Sequence, residues 1–164
     1  MSSKPHWYAQ YVAQILKDEG FVDVRLEEKV AKAGFRMKGR WFTPLDVGYL
    51  VLAPYPHREY IECKYKESKK APLATHADVA KFMEDLRLSG IPQRRGIVVT
   101  NNGYLKGAID YARLEGMALY VVPYGATTGR RHASLLDRVH FKAQHIVEGF
   151  WGKAAFPAQF ERVA

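Results

Sequence analysis

Two prolines within five residues, Ala53-Pro54-Tyr55-Pro56-His57, constrain the fold of this chain more than any other feature. Proline has no N–H to give to a central ladder, so this segment must interrupt whatever sheet its flanks join. Both flanks, Asp46–Leu52 and Arg58–Tyr65, are rich in β-branched and aromatic residues and read as strands. If they pair antiparallel around the prolines, facing residues have numbers summing to about 108 to 110, which sets Asp46 across from Glu62 or Lys64. Alternation along a strand then puts Glu62 and Lys64 on one face and Cys63 on the other, beside Ile61 and Tyr65. An Asp, a Glu and a Lys converge on one patch. Two neighbouring carboxylates repel unless a cation stands between them, and a hard divalent ion with oxygen ligands answers that need. The competing reading is a cross-strand salt bridge from Lys64 to Asp46 or Glu62, worth about 0.2–1 kcal/mol. The tripeptide Glu-x-Lys is no signal in itself, because it occurs at Glu27, Glu62 and Glu67. Only the middle copy sits on a strand with an apolar opposite face and an Asp across a turn.

The remaining chain supplies the context. Ser2 or Ser3 can cap a first helix with Pro5 in its opening turn, its apolar pairs recurring from Trp7 to Leu16 until Gly20. Phe21–Leu26 alternates weakly as a short strand. Glu27–Trp41 is a polar, basic excursion carrying Lys29, Lys32, Arg36, Lys38 and Arg40, either a solvated loop or fringe hairpin, or an arm whose Phe35 and Trp41 touch nucleotides. Lys64, Lys66, Lys69 and Lys70 lead into Pro72. Thr75 and Asp78 form a capping box for a helix with Val79, Phe82, Met83 and Leu86 on one face. Gly96–Thr100 is a buried strand, Asn101 or Asn102 caps a further helix that Gly116 closes, and Met117–Val122 is another strand. Strand, helix, strand, helix, strand predicts an α/β layer with some parallel pairing, joined to the antiparallel hairpin. After Pro123 come a glycine link, Arg130-Arg131-His132, a basic helix through Val147, and a tail with Phe150, Trp151, Phe156 and Phe160 that packs back on the domain or forms a dimer contact.

The charge narrows the partners. Twenty-five Lys and Arg against 17 Asp and Glu give a net charge of +8, the balance of a protein that meets polyanions, nucleic acid first. Cys63 is the only cysteine, which excludes an intrachain disulfide and a multi-cysteine metal cluster and points to a reducing compartment. No uninterrupted apolar run approaches membrane-spanning length, so the expectation is a cytoplasmic, soluble protein with no membrane partner.

With these residues in place, the chain from about Trp7 to Pro123 resembles the PD-(D/E)XK nuclease superfamily, and within it the Mrr-like restriction endonucleases. The resemblance rests on the first helix ending in Gly20-Phe21, the Asp46 strand, Glu62-Cys63-Lys64, and above all Gly96-Ile97-Val98-Val99-Thr100-Asn101-Asn102-Gly103-Tyr104 running into Ala108 and Tyr111-Ala112. That segment is similar to the family's Val-Thr-x-x-Gly-Phe passage from strand to helix. The resemblance implies that Asp46 and Glu62 hold Mg²⁺, with Mn²⁺ as a substitute, helped by the Cys63 carbonyl, and that Lys64 orients or activates water and offsets charge on the phosphate. Two departures stand out. Ala9 falls where the family often has a first-helix Glu, with Gln10 beside it as an accessory hydrogen-bonding group. Pro44 and Leu45 stand where relatives tend to be glycine-rich.

The expectation is therefore a restriction-endonuclease-like α/β core with a mixed central sheet flanked by helices over residues 1–123. Residues 124–164 add a basic helix and aromatic tail on the same domain. The implied function is metal-dependent DNA endonuclease. Asp46, Glu62 and Lys64 are its catalytic residues, and Arg40, Lys66, Lys69, Lys70, Arg94, Arg95, Arg130 and Arg131 its contacts to the DNA backbone. A Holliday-junction resolvase, small, basic and homodimeric, and a catalytically inactive nucleic-acid-binding module of the same fold are the alternatives.

Overall fold

The computed structural model describes residues 6–31, 42–52, 55–67, 73–125 and 156–164. Helix α1 (His6–Asp18) buries Tyr8, Ala9, Val12, Ala13, Ile15 and Leu16, the stripe that a 3.6-residue period places on one side. Strand β1 (Val22–Ala31) then pairs antiparallel with β2 (Phe42–Val51), from Val22 opposite Leu50 to Ala31 opposite Phe42. The expected polar excursion therefore begins as strand, and only residues 32–41, including Arg40, lie outside the described residues. β1 is a margin strand of the sheet, so it can stay polar along its length. A register shift between Val22 and Arg25 puts Asp23 at a φ of 49°, a conformation Asp tolerates better than most residues, and its carboxylate takes the Arg25 and Arg58 guanidinium groups at 2.7 and 3.0 Å.

Strand β3 (His57–Lys64) pairs antiparallel with β2 from Val51 opposite His57 to Val47 opposite Ile61, the register expected around the prolines. Helix α2 (His76–Leu88) starts on a complete capping box. The Thr75 hydroxyl accepts the Asp78 N–H, and the Asp78 carboxylate accepts the Thr75 N–H at 2.9 Å. After a 3₁₀ turn at Gln93–Arg95 the chain enters β4 (Gly96–Thr100), parallel to β3 with Lys64 beside Thr100. A Cβ at Gly96 would run into Leu86 and stand 3.0 Å from Phe82, so only glycine lets α2 lie this close to the strand. Helix α3 (Lys106–Glu115) ends on Gly116 in the left-handed conformation, and β5 (Ala118–Val121) returns parallel to β4. β6 (Glu161–Arg162) closes the far margin antiparallel to β5.

The result is one six-stranded mixed sheet in the order β1 to β6 with helices on both faces. One core joins α1 to Val47, Tyr49, Ile61, Cys63, Val99 and Tyr120. The other joins α2 and α3 to Tyr60, Val98 and Leu119. Phe156 and Phe160 pack on the first core, and β6 adds a short margin strand to the central sheet. The predicted basic helix lies outside the described residues.

Candidate active site

β3, β4 and β5 run parallel, and the carboxyl ends of parallel strands are where α/β folds collect function. Here those ends carry Glu62, Lys64 and Thr100. Because Tyr60 packs in the α2/α3 core while Ile61 and Cys63 pack in the α1 core, alternation turns Glu62 and Lys64 toward α2 and α3. Glu62 is 3% exposed, and the Lys64 Nζ stands 3.4 Å from its Oε1. Charged groups are rarely buried without such a partner.

Asp46 enters from β2. One further step of the observed register sets it opposite Glu62, but the strand does not continue regularly there. Leu45 packs in the α2/α3 core and Val47 in the α1 core, although residues two apart on a strand normally share a face. Asp46 sits at this change of face, and its carboxylate accepts the Cys63 backbone N–H at 2.9 Å. It is thus anchored directly beside Glu62 in the chain. The Cys63 side chain is in no disulfide and is buried in the α1 core, away from the face Glu62 and Lys64 share.

A second layer of charge follows. Lys66, an expected DNA contact, pairs through its Nζ with the capping carboxylate of Asp78 at 2.9 Å at the start of α2. Burial works to raise the Asp78 pKa, but the Thr75 N–H, Lys66 and the more distant Lys64 outweigh it and hold it below the ordinary carboxylate value. Acid and base therefore alternate through Glu62, Lys64, Asp78 and Lys66.

Asn101, expected as a helix cap, has a different role. Its Oδ1 accepts the Lys66 N–H at 2.6 Å and its Nδ2 donates to the Lys66 carbonyl at 2.9 Å, while α3 takes Leu105 as its N-cap with no side-chain cap bond. This double clamp ties the exit of β3 to the end of β4. Asn102 adds one longer bond to the same carbonyl, 3.3 Å. Below it, the Tyr104 hydroxyl lies 2.8 Å from the Val98 carbonyl and 3.0 Å from that of Tyr120. The sequence signal for the clamp was the Asn doublet itself, but an Asn after a strand serves caps and backbone clamps alike.

The other candidates are dispersed. Arg94 and Arg95 lie at the start of β4 beside Tyr55, whose hydroxyl accepts from Arg95 at 3.3 Å, about 16 Å along the strand from its carboxyl end at about 3.3 Å per residue. Gln10 is on the exposed side of α1 next to buried Ala9, and α1 covers the face opposite Glu62 and Lys64. Arg40, Lys69, Lys70, Arg130 and Arg131 lie outside the described residues. Among the described residues no group of three or more His, Cys, Asp or Glu side chains is placed to hold a metal, and no helix is long and apolar enough to cross a membrane.

No family model matches this chain, and no curated protein does. Among solved structures it is similar to the crystal structure of a protein of unknown function, AF1548, at 18% identity and a TM-score of 0.56. The match covers 84% of this chain and 66% of that one, so the chain spans slightly under two thirds of its neighbour. A likeness at this identity shows a shared fold, here a mixed α/β layer.

Proposed function

We propose that this chain is a metal-dependent DNA endonuclease with a restriction-endonuclease-like, PD-(D/E)XK core. The observation that carries the reading is Glu62: a carboxylate 3% exposed at the carboxyl end of a parallel strand, 3.4 Å from Lys64, with Asp46 anchored on the intervening Cys63 N–H. The donor set fits a hard divalent cation, since both side chains offer carboxylate oxygens and the thiol points elsewhere. Asp46 and Glu62 would hold Mg²⁺ or Mn²⁺, with the Cys63 carbonyl as a third oxygen. When bound, the ion supplies Lewis acidity and a water of lowered pKa. Lys64 contributes positive charge where negative charge develops on the phosphate oxygens, and the net charge of +8 favours a polyanionic substrate.

One observation favours a second reading, the inactive binding module. With Ala9 buried and Gln10 uncharged on α1, no third acidic or His/Cys side chain joins Asp46 and Glu62 in a metal-holding group among the described residues. A cleavage panel decides between them: linear, single-stranded, methylated and branched DNA with Mg²⁺, Mn²⁺ or EDTA, on wild type and Glu62→Gln. Cleavage of any substrate with metal, lost in EDTA and in Glu62→Gln, supports the nuclease, and cleavage confined to four-way junctions makes it a resolvase. DNA shifting without cleavage makes it a binding module, and absence of both ends the nucleic-acid reading.

A further inference from the structure

Among the described residues at the carboxyl ends of the parallel strands, Thr100 is the one whose buried side-chain oxygen has no hydrogen-bond partner. It is 0% exposed, and its Oγ1 is buried without a hydrogen-bond partner. Its backbone is not free to adjust, because β4 pairs with β3 and β5 on either side and the Thr100 carbonyl accepts the Val122 N–H at 2.9 Å. The four residues before it, Gly96 to Val99, are all buried, so valine, with the same shape, would suit this strand better. A hydroxyl kept here without a partner is destabilising, because it has given up its hydrogen bonds to water and gained none in return.

The register identifies its neighbour. Thr100 stands beside Lys64 across the parallel pair, and alternation from Val98, which packs in the α2/α3 core, turns both side chains to the same face. The Lys64 ammonium is loosely held: its 3.4 Å contact to Glu62 is longer than the roughly 2.7–2.9 Å of a good charge-assisted hydrogen bond. An ammonium carries three donors. The residues that carry a weakly engaged donor and an orphaned acceptor are thus register neighbours on one face of the sheet.

We propose that Thr100 is a positioning residue for Lys64: its Oγ1 accepts a hydrogen bond from the Lys64 ammonium when the Glu62 carboxylate turns to a ligand, keeping the lysine aimed at the bound phosphate. The inference rests on the nuclease reading for the identity of that phosphate. In the described arrangement Glu62 orients Lys64; once Glu62 is engaged elsewhere, the ammonium would swing into solvent unless a second acceptor fixes it. The buried hydroxyl provides that acceptor without adding a charge that would compete for the cation.

The test is a double-mutant cycle of Thr100→Val and Lys64→Met, with Thr100→Ser as rescue and Ser89→Ala as control. Ser89 carries another buried, unpartnered hydroxyl, but at the far end of α2. Two readouts are taken on each protein: the Mg²⁺-dependent cleavage rate at saturating DNA, and the affinity for a 20-base-pair duplex in EDTA. Thr100→Val is expected to melt no lower than wild type and to cut about ten- to a hundredfold more slowly, the worth of one hydrogen bond to a charged group. The loss should appear in kcat more than in KM. Thr100→Ser should recover most of it, Ser89→Ala should match wild type, and Thr100→Val should change nothing further in the Lys64→Met background. Additive effects, or no effect of Thr100→Val on either readout, overturn the inference. If wild type binds DNA but does not cut it, the nuclease reading fails by itself, and the cycle run on affinity still decides whether Thr100 acts through Lys64. Absence of both cutting and binding overturns both.

Discussion

Replacing the charges of the Glu62–Lys64 pair separates a site kept for function from a cluster kept for stability. Glu62 is almost fully buried and Lys64 keeps only 15% of its side chain in water. Desolvating both groups costs several kcal/mol per ion, and at 3.4 Å their attraction offsets that cost poorly. The uncharged double variant Glu62→Gln/Lys64→Met preserves volume, and in comparable buried pairs such swaps are neutral or stabilising by about 1–4 kcal/mol. Lys64→Met alone should destabilise, because it removes the ammonium from a buried carboxylate. The full penalty is about 3–5 kcal/mol, and the partial exposure of Lys64 argues for the lower end, about 3 kcal/mol. For a chain of 164 residues, about 2–4 °C of melting temperature per kcal/mol makes that about 6–12 °C for the single variant and no loss for the double. Urea melts followed by tryptophan fluorescence, alongside calorimetry, measure both. If the double variant is less stable than Lys64→Met, the pair is structural and the case for a site built around Glu62 collapses.

Other perturbations test neighbouring elements. Asn101→Ala removes two bonds to the Lys66 backbone and should cost about 2 kcal/mol, or about 4–8 °C, whereas Asn102→Ala, which loses one exposed 3.3 Å bond, should stay within about 0.5 kcal/mol; equal shifts would deny the clamp. Because Asp78 titrates below its ordinary value when folded, its contribution to the start of α2 is present above the unfolded carboxylate pKa of about 3.9 and is lost as pH falls from there through the folded value. Hydrogen exchange in the first turn of α2 should rise across that acid window, and Asp78→Asn should remove the pH dependence. Neutralising Arg94 and Arg95 together should lower the salt slope of DNA binding by about two units on long duplexes. If the paired substitution changed sequence preference and left the salt slope unchanged, Arg94 and Arg95 would not be contacts to the DNA backbone.

Local chemistry made much of the sheet legible. The two prolines place the β2–β3 break because a missing N–H acts wherever the residue falls, and Thr75 with Asp78 marks the start of α2 because both halves of the capping box lie within four residues. The ends of the sheet were harder to read for the opposite reason. β1 carries Glu27, Glu28 and Lys29 inside a ten-residue strand, and a margin strand does not need the apolar run by which interior strands are recognised. β6 is two residues long. It is held in place by Phe156 and Phe160 packing on Tyr120, a contact between residues more than thirty positions apart that no local window contains.

The site divides along the same line. Strict alternation brings Glu62 and Lys64 to one face, because β3 stays in regular register with β4 from Tyr60 through Lys64. Asp46 obeys no such constraint. The β2–β3 pairing stops at Val47, and beyond that point Leu45 is drawn into the α2/α3 core while Val47 stays in the other. The strand must turn between them, and Asp46 is the residue on the turn. A carboxylate there can take the Cys63 N–H in place of a backbone carbonyl, which an apolar residue could not do without leaving that donor unsatisfied. The same irregularity that defeats a period-2 reading therefore explains why position 46 favours a short acceptor. It also means that Asp46→Asn, which keeps an acceptor oxygen, preserves the turn, whereas Asp46→Ala removes it. Comparing the two variants isolates the carboxylate's charge from its structural hydrogen bond, and a nuclease requires that both fail to cut while only Asp46→Ala loses stability.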